Sequence, residues 1–456
     1  MSSLFDFPLG FWVSLAFAAG LVVHAWKCRN QAWGIPAIAV CATVVIWYHG
    51  DPLYNGWQGF SRDFTPQVID DAWWQVTFFV ASFWAMAPFV NRKLNPPKAG
   101  RRSTVVSLLE GMLTLDRLQE FLAPMLAGLA AIWAALTVIA LIRTDFDWQG
   151  IFAPWLGHLA QPWARARIGG AFDFIFSLIG HVNLFCLSGF GIVAALVKSP
   201  RLRNAALALM ALSWPTIFLD RTRHTMLVVL LPGLAALVFV RLRRRRLAQV
   251  ALLAGVFLAV NLWFSFVIAN RSARSIAEAF AAGRVQGTAS AKHEGLNMFE
   301  ELCWINKFLE DGTFSPNWGA RYFAEIVNVI PRPLWKDKPT IGLDYAVARG
   351  QATGETIGVA GATISTGMIG GGVVNFGPWA GPPFAALLMA AWVALLARFD
   401  LTGHRLGRLL LYVVGLALTF NLGRDITLLV AYPLVFGYAV VRVVEHWADS
   451  KRRTRP

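Results

Sequence analysis

Charge is scarce in this sequence. Asp, Glu, Lys and Arg make up 15% of its 456 residues, against roughly 25% in soluble domains, which is too little to clothe a water-soluble fold of this length. Acidic residues are the scarcer sign, 26 against 41 basic ones, leaving a net charge of +15. Cysteine is limited to positions 28, 41, 186 and 303, without the short spacings of a zinc site or a disulfide framework. His158, His224 and His293 are isolated in polar segments and His181 falls in an apolar run, so no metal constellation is expected. No Gly-Lys-Ser or Gly-Lys-Thr is present, which excludes a Walker-type nucleotide loop. No internal repeat is visible. Nothing near the start pairs a basic leader with a small-residue cleavage site, so no cleavable signal peptide is expected.

Apolar residues make up 56% of the chain and mean hydropathy is +0.52. Val250 to Ile268 and Val373 to Leu396 carry no charge at all, and each approaches the ~20 residues that cross a bilayer as a helix. Uninterrupted runs of this kind predict eleven spans, at about 9–26, 32–49, 73–90, 121–142, 173–197, 204–219, 225–240, 247–269, 373–397, 406–421 and 426–444. The fold class expected is therefore an all-α polytopic membrane protein. Phenylalanine (33) and tryptophan (20) are abundant, as suits side chains that anchor helices at lipid–water interfaces. The basic surplus does not indicate nucleic acid, because its arginines lie in short clusters between apolar runs instead of forming one contiguous basic surface.

Those clusters follow alternate spans: Lys27 and Arg29, Arg92 to Arg102, Lys198 to Arg203, Arg241 to Arg246, Arg398 to Arg408, and the Lys451 to Arg455 tail. Eleven alternating spans put all of them on one side, which the positive-inside rule makes cytoplasmic. The opposite, outward segments are 50–72, 143–172, 220–224, 270–372 and 422–425. The chain then divides into a bundle of eight helices (1–269), a large outward loop domain (270–372), and three helices with a basic tail (373–456). Within the loop, helical spacing predicts one helix near Asn297 to Leu309, ended by Asp311-Gly312, and a second from about Gly319 to Val329, stopped by Pro331 and Pro333. They either lie flat on the membrane or pack on the bundle as a lid.

Charge held at membrane level is costly and marks candidate sites. Asp220, Arg221, Arg223 and His224 crowd the tight turn between the sixth and seventh spans. Arg424 and Asp425, preceded by Asn421 and Gly423, occupy a second tight turn. Arginine on the outward side runs against the charge rule, and either an anionic ligand or the neighbouring aspartate compensates it. The run Asn328 to Pro339 uses three prolines to stiffen a loop bearing Arg332, Lys336 and Lys338 beside Trp335. Its arginine suits a bidentate phosphate contact and its indole a sugar face; a rigid loop without a ligand is the alternative. Glycines from Gly354 to Gly377, near Asp344 and Glu355, allow close backbone approach or simply lead into the ninth span.

The decapeptide Ile-Pro-Arg-Pro-Leu-Trp-Lys-Asp-Lys-Pro at 330–339 resembles the hallmark loop of bacterial O-antigen and oligosaccharide repeat-unit polymerases, the Wzy-type family. Asn375-Phe376-Gly377 is similar to that family's Asn-Phe-Gly element. Arg221-Thr222-Arg223 resembles its arginine-bearing turn, and Gly423-Arg424-Asp425 its late Arg-Gly-Asp-like turn, with aspartate here directly after arginine. The similarity covers mainly 214–240 and 320–425. It implies an inner-membrane enzyme, resembling the C-type membrane glycosyltransferases, that polymerises undecaprenyl-diphosphate-linked repeat units at the periplasmic face without metal, nucleotide sugar or other cofactor. It also implies a chain-length regulator and a flippase of the same pathway as partners. Arg221, Arg332, His224 and Asp220 are then the expected catalytic residues. Arg223, Trp335, Lys336, Lys338, Asn375, Arg424 and Asp425 are the expected substrate- or pyrophosphate-binding ones, and Arg221, Arg332 and Arg424 should converge. An O-antigen ligase or other lipid-linked glycan transferase, a transporter or flippase of an anionic lipid-linked substrate, and a purely structural membrane protein are the competing readings.

The charge asymmetry makes a testable statement. With the native cysteines removed, Ser315→Cys should react with an impermeant thiol reagent in intact cells and Gln249→Cys should not; the reverse pattern overturns the orientation.

Overall fold

In lipid, a backbone must satisfy its own polar groups, and a helix does so within a single segment. A computed structural model describes residues 7–29, 31–55, 63–96, 115–155, 159–160, 162–163, 173–219, 223–242, 245–269, 297–327, 330, 333–339, 343–350, 365–399 and 406–453. Among them there is no strand. The helices are α1 (Leu9–Lys27), α2 (Gly34–Val44) running through a π turn (Val45–His49) into α3 (Gly50–Asn55), α4 (Pro66–Leu94), α5 (Leu115–Arg143), α6 (Trp148–Phe152), α7 (Asp173–Leu196), α8 (Pro200–Leu219), α9 (Arg223–Ala236) and α10 (Arg246–Ala269). After them come α11 (Met298–Glu310), α12 (Ala320–Val327), α13 (Leu343–Ala348), α14 (Met368–Ala397), α15 (Leu406–Arg424) and α16 (Leu428–Arg453). Each of the eleven apolar runs falls largely within helix, and among the described residues eight helical stretches are long and apolar enough to cross a membrane. Helix α10 exposes Leu247, Val250, Phe257 and Leu262 along its length, a contiguous apolar face that suits lipid and not water.

Side-chain bonds sort the helix ends into two groups. At one end Asn95 donates to the Ala394 carbonyl (2.8 Å), Arg398 to Asn95 (3.3 Å), and Gln119 to the Leu196 carbonyl (3.1 Å). Arg241 reaches the Ala195 carbonyl (3.3 Å), and Arg408 grips Glu445 through two bonds of 2.9 and 2.8 Å. The described basic residues Arg92, Lys93, Lys198, Arg241, Arg398 and Arg408 lie in or beside these contacts. At the other end Trp47 donates to the Phe420 carbonyl (2.7 Å), and Gly367 N–H to the Arg424 carbonyl (2.9 Å).

Two large apolar cores share the bundle, beside a small cluster of Ala140, Ile151 and Ala160. One joins α1, α2, α4, α11, α14, α15 and α16, around Phe11, Trp47, Trp73, Phe83, Phe299 and Met389. The other joins α5, α7, α8 and α9 around Leu187, Phe190 and Val229. Helix α15 faces both, with Leu409 and Leu411 in the first and Leu410 in the second.

Of the two loop helices, α11 packs into the bundle. Phe299, Leu302, Cys303 and Ile305 are fully buried. Its first-turn donors, which a helix start leaves unsatisfied, go to the Asp51 carboxylate from Phe299 N–H (3.1 Å) and Glu300 N–H (3.0 Å). Gln75 of α4 and Asn306 exchange both amide bonds, 2.7 and 3.1 Å. Gly312, at φ 68°, turns the chain where Asp311-Gly312 was expected to end the helix.

Helix α14 is not one straight span. Gly377 (φ 80°, ψ 177°) breaks it, a conformation that only glycine adopts cheaply. A Cβ on Gly372 would lie 2.3 Å from the Gly381 carbonyl oxygen, although nine residues of continuous helix would separate the two by about 13 Å. The chain therefore folds back at Gly377: residues 368–376 form a short arm against the start of the 378–397 helix. That helix keeps the ~20 residues needed to cross the bilayer, so the apolar run read as beginning at 373 begins instead on the short arm.

Candidate functional site

Four segments distant in sequence meet at the end opposite the basic clusters: α12, residues 365–371, the turn after α15, and the π turn that carries Tyr48. Trp318 and Gly319 both have positive φ, 52° and 89°, and swing the chain into α12. There the helical repeat puts Arg321, Ala324 and Glu325 on one buried face. The fully buried Asn375 ties this helix to the short arm, accepting from Tyr322 N–H (3.3 Å) and donating to the Gly371 carbonyl (2.7 Å). Tyr48 caps that arm, its hydroxyl oxygen accepting from Ile369 N–H at 2.9 Å. Asp425 N–H bonds the Asn421 carbonyl (3.3 Å) and the Asp425 carbonyl accepts from Thr427 N–H (3.1 Å), shaping the turn between the last two helices.

At the meeting point, Arg321 Nη2 lies 3.2 Å from Asp425 Oδ2, with the two side chains 5% and 19% exposed. A methyl group on Gly371 would sit 3.5 Å from Thr366 Oγ1, 3.7 Å from the Tyr322 hydroxyl and 3.8 Å from Asp425 Oδ1. Three side-chain oxygens thus ring one bare α-carbon. The second guanidinium nitrogen of Arg321 (Nη1), the Tyr322 hydroxyl, Thr366 Oγ1 and Asn421 Nδ2 are all buried without a hydrogen-bond partner among the described residues. Buried polar atoms are normally paired, and each of these four can donate a hydrogen bond. Burial pushes the Asp425 carboxyl above its usual range, with Arg321 and Arg424 pulling it back. Burial and the Asp425 charge push the Tyr322 hydroxyl upward, keeping it a neutral donor. A buried arginine with neighbouring hydroxyl and amide donors suits an oxygen-rich anion.

A second buried carboxylate has another use. Glu301 accepts from the Tyr345 hydroxyl (2.6 Å) and from Arg349 Nη2 (3.1 Å) and Nε (3.3 Å), while Arg349 lies 4.5 Å over the Trp304 ring. With its bonds satisfied, this cluster pins α13 to α11.

The sequence-predicted residues are placed unevenly. Asp220, Arg221 and Arg332 lie outside the described residues, so their convergence with Arg424 does too. Arg223 opens α9 and His224 follows it, their side chains outside the described set. Arg424 is exposed beside the ion pair. The local Arg424–Asp425 pairing open at the sequence level gives way to Asp425 with Arg321, 104 residues earlier. Asn375 helps build the cluster. Trp335 is half-buried, 6.3 Å from the Phe323 ring, and Lys336 is exposed. Lys338 is buried and donates to the Ile330 carbonyl (3.0 Å), closing the proline-rich loop on itself. Arg321, Thr366 and Tyr48 went unnoticed in the sequence, and Tyr322 was read only as part of the apolar side of its helix. A charged residue at 321 within an outward apolar stripe was the one available signal. Among the described residues no group of three or more His, Cys, Asp or Glu could hold a metal ion.

No family model matches this chain, and no curated protein or solved structure does either.

Because Asp425 is buried beside its partner, Arg321→Met should cost about 3 kcal/mol, near the lower end for breaking a buried pair. The double variant Arg321→Met/Asp425→Leu should recover most of that loss. Thermal unfolding in detergent checks this; additive losses would show that the two side chains are not coupled.

Proposed function

We propose that this membrane protein is a glycosyltransferase that polymerises undecaprenyl-diphosphate-linked oligosaccharide repeat units. In this reading all eleven apolar runs cross the bacterial inner membrane, residues 270–372 form the periplasmic loop domain, and the basic end faces the cytoplasm. The single observation that supports it best is Arg321. One of its nitrogens is spent on Asp425, while Nη1 has no partner among the described residues and neighbours hydroxyls likewise unpartnered there. That donor set is what a diphosphate head group requires, and the end opposite the basic clusters is where a flipped lipid-linked substrate would present it. The resemblance of 330–339, 375–377 and 423–425 to the Wzy-type polymerases points the same way.

In the proposed reaction an acceptor hydroxyl of the incoming unit attacks the anomeric carbon of the growing glycan. The bond from that carbon to the lipid diphosphate breaks, and the diphosphate leaves with the electron pair. Arg221 and Arg332 stabilise the charge developing on the leaving group, with Arg321 and Arg424 holding the diphosphate and Arg223, Lys336 and Lys338 adding to the positive field. Trp335 offers its ring to a sugar. The proton lost by the acceptor goes to His224, with Asp220 and Asp425 the other groups able to take it.

Membranes containing the protein, supplied with lipid-linked repeat units, should produce longer lipid-linked glycans. Transfer to lipid A–core instead would make it a ligase, and translocation without bond formation a transporter. At matched folded protein, Arg332→Lys should slow elongation by about 100- to 1,000-fold, the order seen on losing a transition-state donor. An unchanged rate would remove Arg332 from the mechanism.

A further inference from the structure

Helix α12 is inside out for a helix at a water-facing surface. Arg321 (5% exposed) and Glu325 (8%) are turned inward, while Phe323 (52%) and Ile326 (60%) are turned outward. Trp318 before the helix and Leu334 after it are each 80% exposed. The Trp335 ring lies beside Phe323, extending the same apolar surface. A soluble loop domain would bury this face and hydrate the other.

The depth of the helix explains the inversion. Residues 378–397 form a helix of about the 30 Å needed to cross the hydrocarbon core, so its first turn marks the outer boundary of that core. Trp379 lies in that turn and is 76% exposed, at the level where indoles anchor spans. Helix α12 is tied to the same level three times over. Asn317 N–H donates to the Val374 carbonyl (3.1 Å), Tyr322 N–H to Asn375 (3.3 Å), and Gly319 approaches the Phe376 ring so closely that a Cβ there would lie 3.3 Å from it. We infer that the Trp318–Phe323–Ile326 face of α12 is seated in the outer boundary of the bilayer, with lipid chains as its occupant. The opposite face of the same helix carries Arg321, and Tyr322 lies on the flank between the two faces with its hydroxyl buried, so the donor cluster stands behind a lipid-covered wall. A head group carried by a membrane lipid reaches Arg321 from the bilayer side, without leaving the membrane. This placement needs only that the chain spans a membrane, and stands apart from the identity of the glycan or the reaction.

Spin labels test it. In the full chain with its four cysteines replaced, Phe323→Cys and Ile326→Cys are labelled in nanodiscs of phosphatidylethanolamine and phosphatidylglycerol. Collision rates are read with oxygen, which partitions into lipid, and with a water-soluble nickel chelate. Both labels should match one at Phe257, on the exposed face of α10, in favouring oxygen, and differ from one at the exposed Asp311. Nickel accessibility equal to that at Asp311 overturns the inference by placing the face in water. Shielding from both probes overturns it by placing protein, such as a second copy of the chain, on the face. Should the labelled variants fail to fold, Trp318→Phe in the otherwise native protein must reduce the fluorescence quenched by lipids brominated near the glycerol. No reduction contradicts the placement.

Discussion

The contact between Arg321 and Asp425 joins the loop helix α12 to the turn between the last two helices, across 104 residues of sequence. Both charges are largely removed from water, and ions so placed repay their desolvation only when their geometry is fixed. Around this pair one end of the bundle is tied together. Asn375 anchors the start of α12, Tyr48 caps the short arm of α14, and Gly367 bonds the Arg424 carbonyl. Every tie engages a backbone group that a helix end or a turn would otherwise leave unsatisfied. The donors left over at the centre, on Arg321, Tyr322, Thr366 and Asn421, are therefore held in place without being consumed.

Glycine makes that crowding possible. Gly372 and Gly381 let two helical arms touch backbone to backbone, and Gly377 supplies the reversal between them. Any side chain at the first two positions would drive the arms apart and carry residues 366–371 away from Asp425. The fold-back and the ion pair are thus two halves of one construction. The glycines bring the strand of backbone in, and the charges hold the helix that covers it.

Much of this was legible in the sequence, because a bilayer imposes blunt rules. Runs of apolar residues long enough to cross it became helices, and the described parts of the basic clusters gathered at one end, since both patterns follow from length and charge alone. The helix near Asn297 to Leu309 was readable from its spacing, and Asp311-Gly312 from its turn chemistry. What escaped is tertiary. The run from 373 to 397 has no charge to betray a break, so its reversal at Gly377 depends on a contact nine residues away. Helix α12 displayed its apolar stripe plainly, but the stripe alone does not say whether lipid or protein will cover it. Arg321 was passed over because the helix was recognised by its apolar residues, and the partner of Asp425 was sought next door when it lay on another helix.

The central claim is that the unpartnered donors around Arg321 are arranged for an oxygen-rich anionic head group. The most direct measurement is an electron cryo-microscopy structure of the protein in nanodiscs with undecaprenyl diphosphate added. Phosphate density is expected within hydrogen-bonding distance, about 3 Å, of Arg321 Nη1 and the Tyr322 hydroxyl, with the lipid tail passing over the Phe323 and Ile326 side of α12. Phosphate density bound elsewhere, with the Arg321 cluster unchanged and unoccupied, would contradict it.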